Sequence, residues 1–178
     1  MEKKFTTQKL VYFALFAAFL CVCAYISIPL PLPGAPHITL VNFTVILIGL
    51  LFAPLDSFMI VLVYVLLGCV GVPVFIGGKG GAAYLLQPYG AYTWAFLIAA
   101  IALPFIRGKK YNVARYIVAA IAGVLIIDIV GMLYLMAVSN YDLKTGIMTG
   151  FVPFIPLDIV KAVVAALIVP AFKRVMKQ

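Results

Sequence analysis

Acidic residues are scarce in this chain. Its 178 residues carry five Asp and Glu against thirteen Lys and Arg, with one His and one Trp. Charged residues make up only 10%, where soluble domains carry about 25%. So little charge cannot cover a water-exposed surface. Cysteine is nearly missing too. Cys21, Cys23 and Cys69 form an odd set without ligand spacing, which argues against a disulfide framework or a zinc site. They read as small apolar residues in buried segments. His37 stands alone in a proline-rich loop, so no metal-ligand set forms around it. What is abundant is apolar: 66% of residues are hydrophobic and the mean hydropathy is +1.22. The composition is that of an integral membrane protein, and residues 1–178 are expected to form one membrane domain.

Continuous apolar runs, rather than alternating ones, point to helices and away from a membrane barrel. Six spans are expected, at about residues 10–29, 39–52, 58–74, 92–106, 116–138 and 156–172. Roughly 20 helical residues cross a hydrocarbon core of about 30 Å, so several spans are short and the bundle is expected to be compact. The second is the shortest, and a re-entrant segment is the alternative there. The fold class expected is an all-α, six-helix membrane bundle. The first run is longer than the apolar part of a signal peptide and lacks a clear cleavage site, so it is kept as a helix.

The net charge of +8 would suit a nucleic-acid binder, but its placement points elsewhere. Lys3, Lys4 and Lys9 precede the first span. Arg107, Lys109, Lys110 and Arg115 lie between the fourth and fifth. Lys173, Arg174 and Lys177 follow the sixth. With six spans these ten share one side, and only Lys79 and Lys144 lie on the other. The asymmetry predicts that both termini and the loop at 107–115 are cytoplasmic. A multi-pass protein of the cell membrane follows, with lipid rather than nucleic acid around it.

The outer side then holds three loops. The stretch 29–38 has four prolines and no acidic residue; proline stiffens an extended chain, which suits either a lid or a tight connection. The stretch 75–92 holds Gly77, Gly78, Gly80 and Gly81 around Lys79. It is not a phosphate-binding loop, because Gly80 stands where Ser or Thr must follow the Gly-Lys pair. Tyr84, Tyr89 and Tyr92 offer flat apolar faces with polar tips, serving a pocket or an interfacial belt. The third loop, 139–150, is polar.

Asp158 and Lys161 fall inside the sixth span. Ionisable groups in a membrane helix cost at least a few kcal/mol and usually line a site or a path. A spacing of three puts both on one helical face. With Pro156 in the first turn, Asp158 sits where the helix dipole favours an anion. Lys161 lies roughly 7–8 Å below the helix start. The pair therefore faces the outer loops, where it marks a pocket for a small polar molecule or simply ties two helices. Asp128, in the fifth span on a face with Gly131, either reaches that pocket or makes a structural hydrogen bond.

Taken together, the motifs resemble a known family. The run from Gly71 through Phe75-Ile-Gly-Gly-Lys-Gly-Gly to Leu86-Gln-Pro-Tyr-Gly-Ala-Tyr is similar to the glycine-rich signature of the BioY family. These are the biotin-specific substrate-binding subunits of energy-coupling-factor transporters. Pro153-Phe-Ile-Pro-Leu-Asp-Ile-Val-Lys-Ala is similar to that family's closing motif, and His37-Ile-Thr-Leu to its second-helix entry. The resemblance covers about residues 10–175. Two departures stand out. Val41 replaces a frequent Gln, and Gln87-Pro88-Tyr89-Gly90-Ala91-Tyr92 replaces Gly-Pro-Thr-Gly-Gly-Tyr.

The resemblance implies a subunit that captures biotin outside the cell. It would work with a transmembrane coupling protein and two cytoplasmic ATPases, with biotin as cargo and no cofactor. It implies a binding subunit rather than an enzyme, in keeping with the lack of a nucleotide motif. Under it, Lys161 is expected to meet the valerate carboxylate. Asp158 would accept from the ureido ring or orient Lys161. Phe75, Tyr84 and Tyr89 would supply apolar walls. Asp128 is a further candidate contact. Ala14 and Ala18, four apart on the first span, form a small-residue strip that allows close helix approach, expected to meet the coupling protein. Two alternatives stay open: another vitamin or heterocyclic acid on the same architecture, and a self-contained carrier using Asp128, Asp158 and Lys161 as a relay.

Overall fold

A computed structural model describes residues 7–29 and 37–176. The proline-rich stretch 30–36, Lys3, Lys4, Lys177 and the side chain of Tyr89 lie outside the described residues. Among the described residues the architecture is all-α, with seven helices. These are α1 (Thr7–Tyr25), α2 (Val41–Leu51), α3 (Pro54–Cys69), α4 (Ala91–Arg107), α5 (Val113–Ser139), α6 (Leu143–Gly150) and α7 (Ile155–Val175). Three of them, α1, α5 and α7, are long and apolar enough to cross a membrane, while α2, α3 and α4 are shorter apolar helices. Two 3-10 turns, Ala82–Leu86 and Pro88–Gly90, precede α4.

Several boundaries differ from the sequence expectation for local reasons. Helix α1 ends at Tyr25 because Ser27–Ile28 forms a short strand, β1, paired antiparallel with Ile38–Thr39, β2. Ile28 precedes Pro29, which disfavours helical backbone there. Helix α3 begins at Pro54, with proline in its first turn and Asp56 at the favoured N-terminal end. It ends before Gly71, whose φ of 102° lies in the region open to glycine. The segment expected to be a polar loop contains α6, eight residues long.

Helix α2 is buried on nearly all sides, as an all-round apolar helix should be. Its 11 residues extend about 16 Å, roughly half a hydrocarbon core. Its neighbours are α1, α3, α4, α5 and α7. Its end groups are met by side chains. At the start, Val41 N donates to Thr39 Oγ1 at 3.1 Å. At the end, Arg107 Nε donates to Gly49 O at 3.1 Å and its Nη2 to Phe52 O at 2.7 Å. These carbonyls belong to the last turn, which has no intrahelical donors left and carries partial negative charge. Arg107 therefore needs no carboxylate partner although it is buried. It also donates to the Tyr116 hydroxyl at 3.1 Å, as does Lys173 at 2.9 Å. One end of the bundle thus gathers α2, α4, α5 and α7 around a basic cluster.

Close approach at the centre depends on two glycines. Leu103 of α4 lies between Gly49 and Gly123, where a Cβ would come within 2.8 Å and 2.6 Å of its side-chain atoms. The other end of the bundle, where β1–β2, the glycine turn and the starts of α4 and α7 converge, holds the cleft.

Candidate ligand-binding site

The cleft, with an empty volume of about 460 Å³, is lined by His37, Thr39, Asn42, Ile76, Lys79, Tyr84, Tyr92 and Phe154. These residues come from the C-terminal edge of the proline-rich connection, the glycine turn, the 3-10 segment after it, α2, α4 and the entry to α7. Exposure grades along the cleft: Thr39 and Tyr92 are buried, Asn42 and His37 are half-buried, and Lys79 is exposed.

The inner end is built on the first turns of α7. Asp158, 1% exposed, forms an ion pair with Lys161. Its Oδ2 accepts from Asn42 Nδ2 at 2.7 Å. Lys161 Nζ donates to Thr39 O at 2.8 Å. The pair therefore ties α7 both to α2 and to β2, and each charge has a partner, as burial demands. Asp128 of α5 is fully buried, and neither of its oxygens has a hydrogen-bond partner among the described residues. It interacts electrostatically with Asp158 and Lys161. The inner end thus collects two carboxyl groups, one ammonium and one primary amide.

The walls are aromatic. Tyr84 stacks on Phe75 with ring centres 4.6 Å apart, and Phe75 meets Tyr64 edge-on at 5.9 Å. Phase and position separate their roles: Tyr84 faces the cleft, whereas fully buried Phe75 backs it. Tyr92 donates its hydroxyl to Gly150 O and packs near Phe154 at 5.8 Å, which couples the ends of α6 and α7 to α4. Leu85 O accepts from both Trp94 Nε1 at 3.2 Å and the Tyr134 hydroxyl at 2.9 Å, fixing the 3-10 segment that carries Tyr84.

The outer rim is the glycine turn. Phe75 N donates to Lys79 O at 2.8 Å and Gly78 N to Phe75 O at 3.0 Å. Between them Gly77 and Gly78 take φ of 76° and 71°, a backbone that other residues adopt only with strain. The tight turn sets Lys79 over the cleft.

Of the residues expected from the sequence, Tyr84 lines the cleft; Asp158 and Lys161 lie behind its lining, held to Asn42 and Thr39, Asp128 lies near that pair, and Phe75 backs Tyr84. Tyr89 cannot be placed by its side chain, which lies outside the described residues. Ala14 and Ala18 are exposed on α1, on a face away from the cleft with Val11, Leu15 and Val22. Sequence reasoning missed Thr39, Asn42, Ile76 and Phe154. Asn42 carried a usable signal, being the one amide in a run of apolar residues; Thr39 acts through a backbone carbonyl, which no side-chain pattern reveals.

Comparisons with known proteins show what the chain is similar to. The model of the BioY family matches residues 1–178. A biotin transporter BioY from Thermotoga maritima is 37% identical over 168 residues, 94% of this chain and 96% of that one. A probable biotin transporter BioY from Pyrococcus horikoshii is 39% identical over 155 residues, 87% of this chain and 90% of that one. Among solved structures, the crystal structure of the S-component for biotin from an ECF-type ABC transporter is similar, with a TM-score of 0.82 and 30% identity. The match covers 98% of this chain and 96% of that one.

Proposed function

Because this chain belongs to the BioY family, we propose that it is the biotin-binding S subunit of an ATP-driven uptake transporter, and no enzyme. The observation that carries this is the inner cluster: Asn42, Asp158, Lys161 and Thr39 hold donors and acceptors at one end of an aromatic cleft. Biotin's ureido ring offers two N–H donors and one carbonyl. Asp158 and the Asn42 amide oxygen accept from the ring, and Lys161 donates to its carbonyl. The thiophane ring and aliphatic chain lie against Tyr84, Tyr92, Ile76 and Phe154, with Phe75 supporting Tyr84. Asp128 is a further acceptor at the inner end; Tyr89, expected from the sequence to add to the wall, has its side chain outside the described residues.

This arrangement alters the role expected for Lys161. Its charge is already met by Asp158, with Asp128 nearby. A ligand carboxylate there would compete with Asp158 for one ammonium, and two carboxylates in a poorly solvated site repel strongly. The neutral but polar ureido ring avoids that cost. The valerate carboxylate is then directed outward, toward exposed Lys79.

The topology proposed is six spans, with α6 lying at the outer surface, and with both termini and the 107–115 loop in the cytoplasm. In support, the basic residues Arg107, Lys173 and Arg115 gather at the end of the bundle opposite the cleft. The same domain spans 1–178 and sits in the cell membrane. Its partners are a transmembrane coupling protein, met through Ala14 and Ala18, and two ATPases; biotin is cargo and no cofactor is involved. The direct test is mass analysis of the small molecule that copurifies with the protein from cells grown with biotin. Recovery of biotin supports the proposal, while another vitamin or heterocyclic acid in its place overturns the ligand assignment.

A further inference from the structure

His37 lines the cleft together with Lys79, and its side chain takes no part in the inner cluster. Its half-buried ring sits at the outer rim. Nδ1 is 3.4 Å from Ser27 Oγ of β1, and a Cβ on Gly77 would lie 3.6 Å from its Cε1. The imidazole is thus wedged between the first strand and the glycine turn that carries Lys79.

Resting on the biotin assignment above, we propose that His37 is a specificity residue for the ligand carboxylate: it takes up a proton as the anion binds between it and Lys79, which makes capture tighter in mildly acidic surroundings. A neutral imidazole has one donor, whereas the protonated ring has two. Protonation makes both ring nitrogens donors and adds a positive charge beside Lys79, and a charge-assisted bond to a carboxylate is stronger than a neutral one.

The surrounding charges set the direction. From the glycine turn, Lys79 faces the ring. From α1, Tyr25 adjoins Gly78, and from the 3-10 segment Tyr84 faces the same cleft; both bring phenol hydroxyls rather than carboxylates. The ion pair of Asp158 and Lys161 lies deeper, beyond Thr39, and is internally compensated. Partial burial, and then the Lys79 charge, hold His37 below the usual imidazole range in the empty protein. A bound carboxylate opposes both effects and raises it. The bound state therefore holds more protons than the free state. Affinity rises as pH falls through the bound-state value, at most about tenfold per unit, and levels off below the free-state value.

The test is calorimetric titration of the full chain in nanodiscs with biotin and with biotinamide, between about pH 5 and pH 8, where an aliphatic carboxylate stays ionised. Biotin should bind roughly tenfold more tightly at the acid end. His37→Gln should flatten that slope while retaining binding, and biotinamide should give no slope with either protein. Equal biotin affinity across the range, or an unchanged slope in His37→Gln, overturns the inference and leaves biotin as the ligand. A slope that persists with biotinamide assigns the proton to the inner cluster and also overturns it. Absence of biotin binding at every pH overturns the biotin assignment itself.

Discussion

Asn42 and Asp158 are 116 positions apart, yet the amide of one donates to the carboxylate of the other at 2.7 Å. The bond joins α2, the buried short helix, to the first turn of α7. It also leaves the amide oxygen of Asn42 as an acceptor on a residue that lines the cleft. A single amide thus both supports the acid and diversifies the inner end of the cleft.

Asn42→Ala should lower biotin affinity more than it lowers stability. A buried carboxylate deprived of a donor costs about 1–3 kcal/mol, and that cost adds to the loss of a direct ligand contact. The expected fall in affinity is roughly tenfold to several hundredfold, at about 1.4 kcal/mol per decade. Titration with biotin reads the effect. Unchanged affinity would show that Asn42 serves only to join α2 to α7.

The orientation of the ligand can be read from paired variants. Lys161→Ala should weaken biotin and biotinamide by similar factors, about tenfold to a hundredfold for a lost charge-assisted bond. Lys79→Ala should weaken biotin alone, and by less, since an exposed charge is screened. A larger loss for the acid than for the amide in Lys161→Ala would return the carboxylate to the inner end and remove the basis for the outward placement.

The Asp158–Lys161 pair was legible in the sequence, for a physical reason. An acid and a base three apart in a membrane helix are so costly that their presence is itself a signal, and Asp158 and Lys161 indeed pair. What the sequence concealed was the consequence of pairing. Spacing shows that two charges share a face, not that each is already compensated, and only the contacts to Asn42 and Thr39 reveal that. The glycine-rich stretch declared a tight turn, but it could not show that Tyr84 faces the cleft while Phe75 backs it. The fold was legible where apolar runs were long, as in α5. It was less so at 58–74, where Pro54 and Gly71 decide the ends of α3, and at 139–150, where polar, glycine-containing sequence conceals the short α6.

Topology follows from the basic residues and can be tested in cells. With the native Cys21, Cys23 and Cys69 replaced by alanine, a single cysteine placed in the 139–150 segment should react with a membrane-impermeant reagent added from outside. One placed in the 107–115 loop should react only after the membrane is opened. The reverse pattern would invert the protein and put the cleft on the cytoplasmic side, which is incompatible with capture from outside.

The exposed strip on α1 separates binding from assembly. Ala14 and Ala18 project outward from the bundle, on a face where Val11, Leu15 and Val22 are also exposed, while Phe16, Ala17 and Leu20 face the core. Lipid alone would accept large side chains at all these positions, whereas a close helix partner requires small ones. Ala14→Trp and Ala18→Trp should therefore leave biotin affinity within about twofold, since surface substitutions usually change stability by less than about 0.5 kcal/mol. They should also sharply reduce copurification with the coupling protein and ATPases. Measuring both quantities on the same preparation decides the matter. Lost binding with normal assembly would mean that α1 communicates with the cleft through β1. Normal binding with normal assembly would mean that the coupling protein docks on another face.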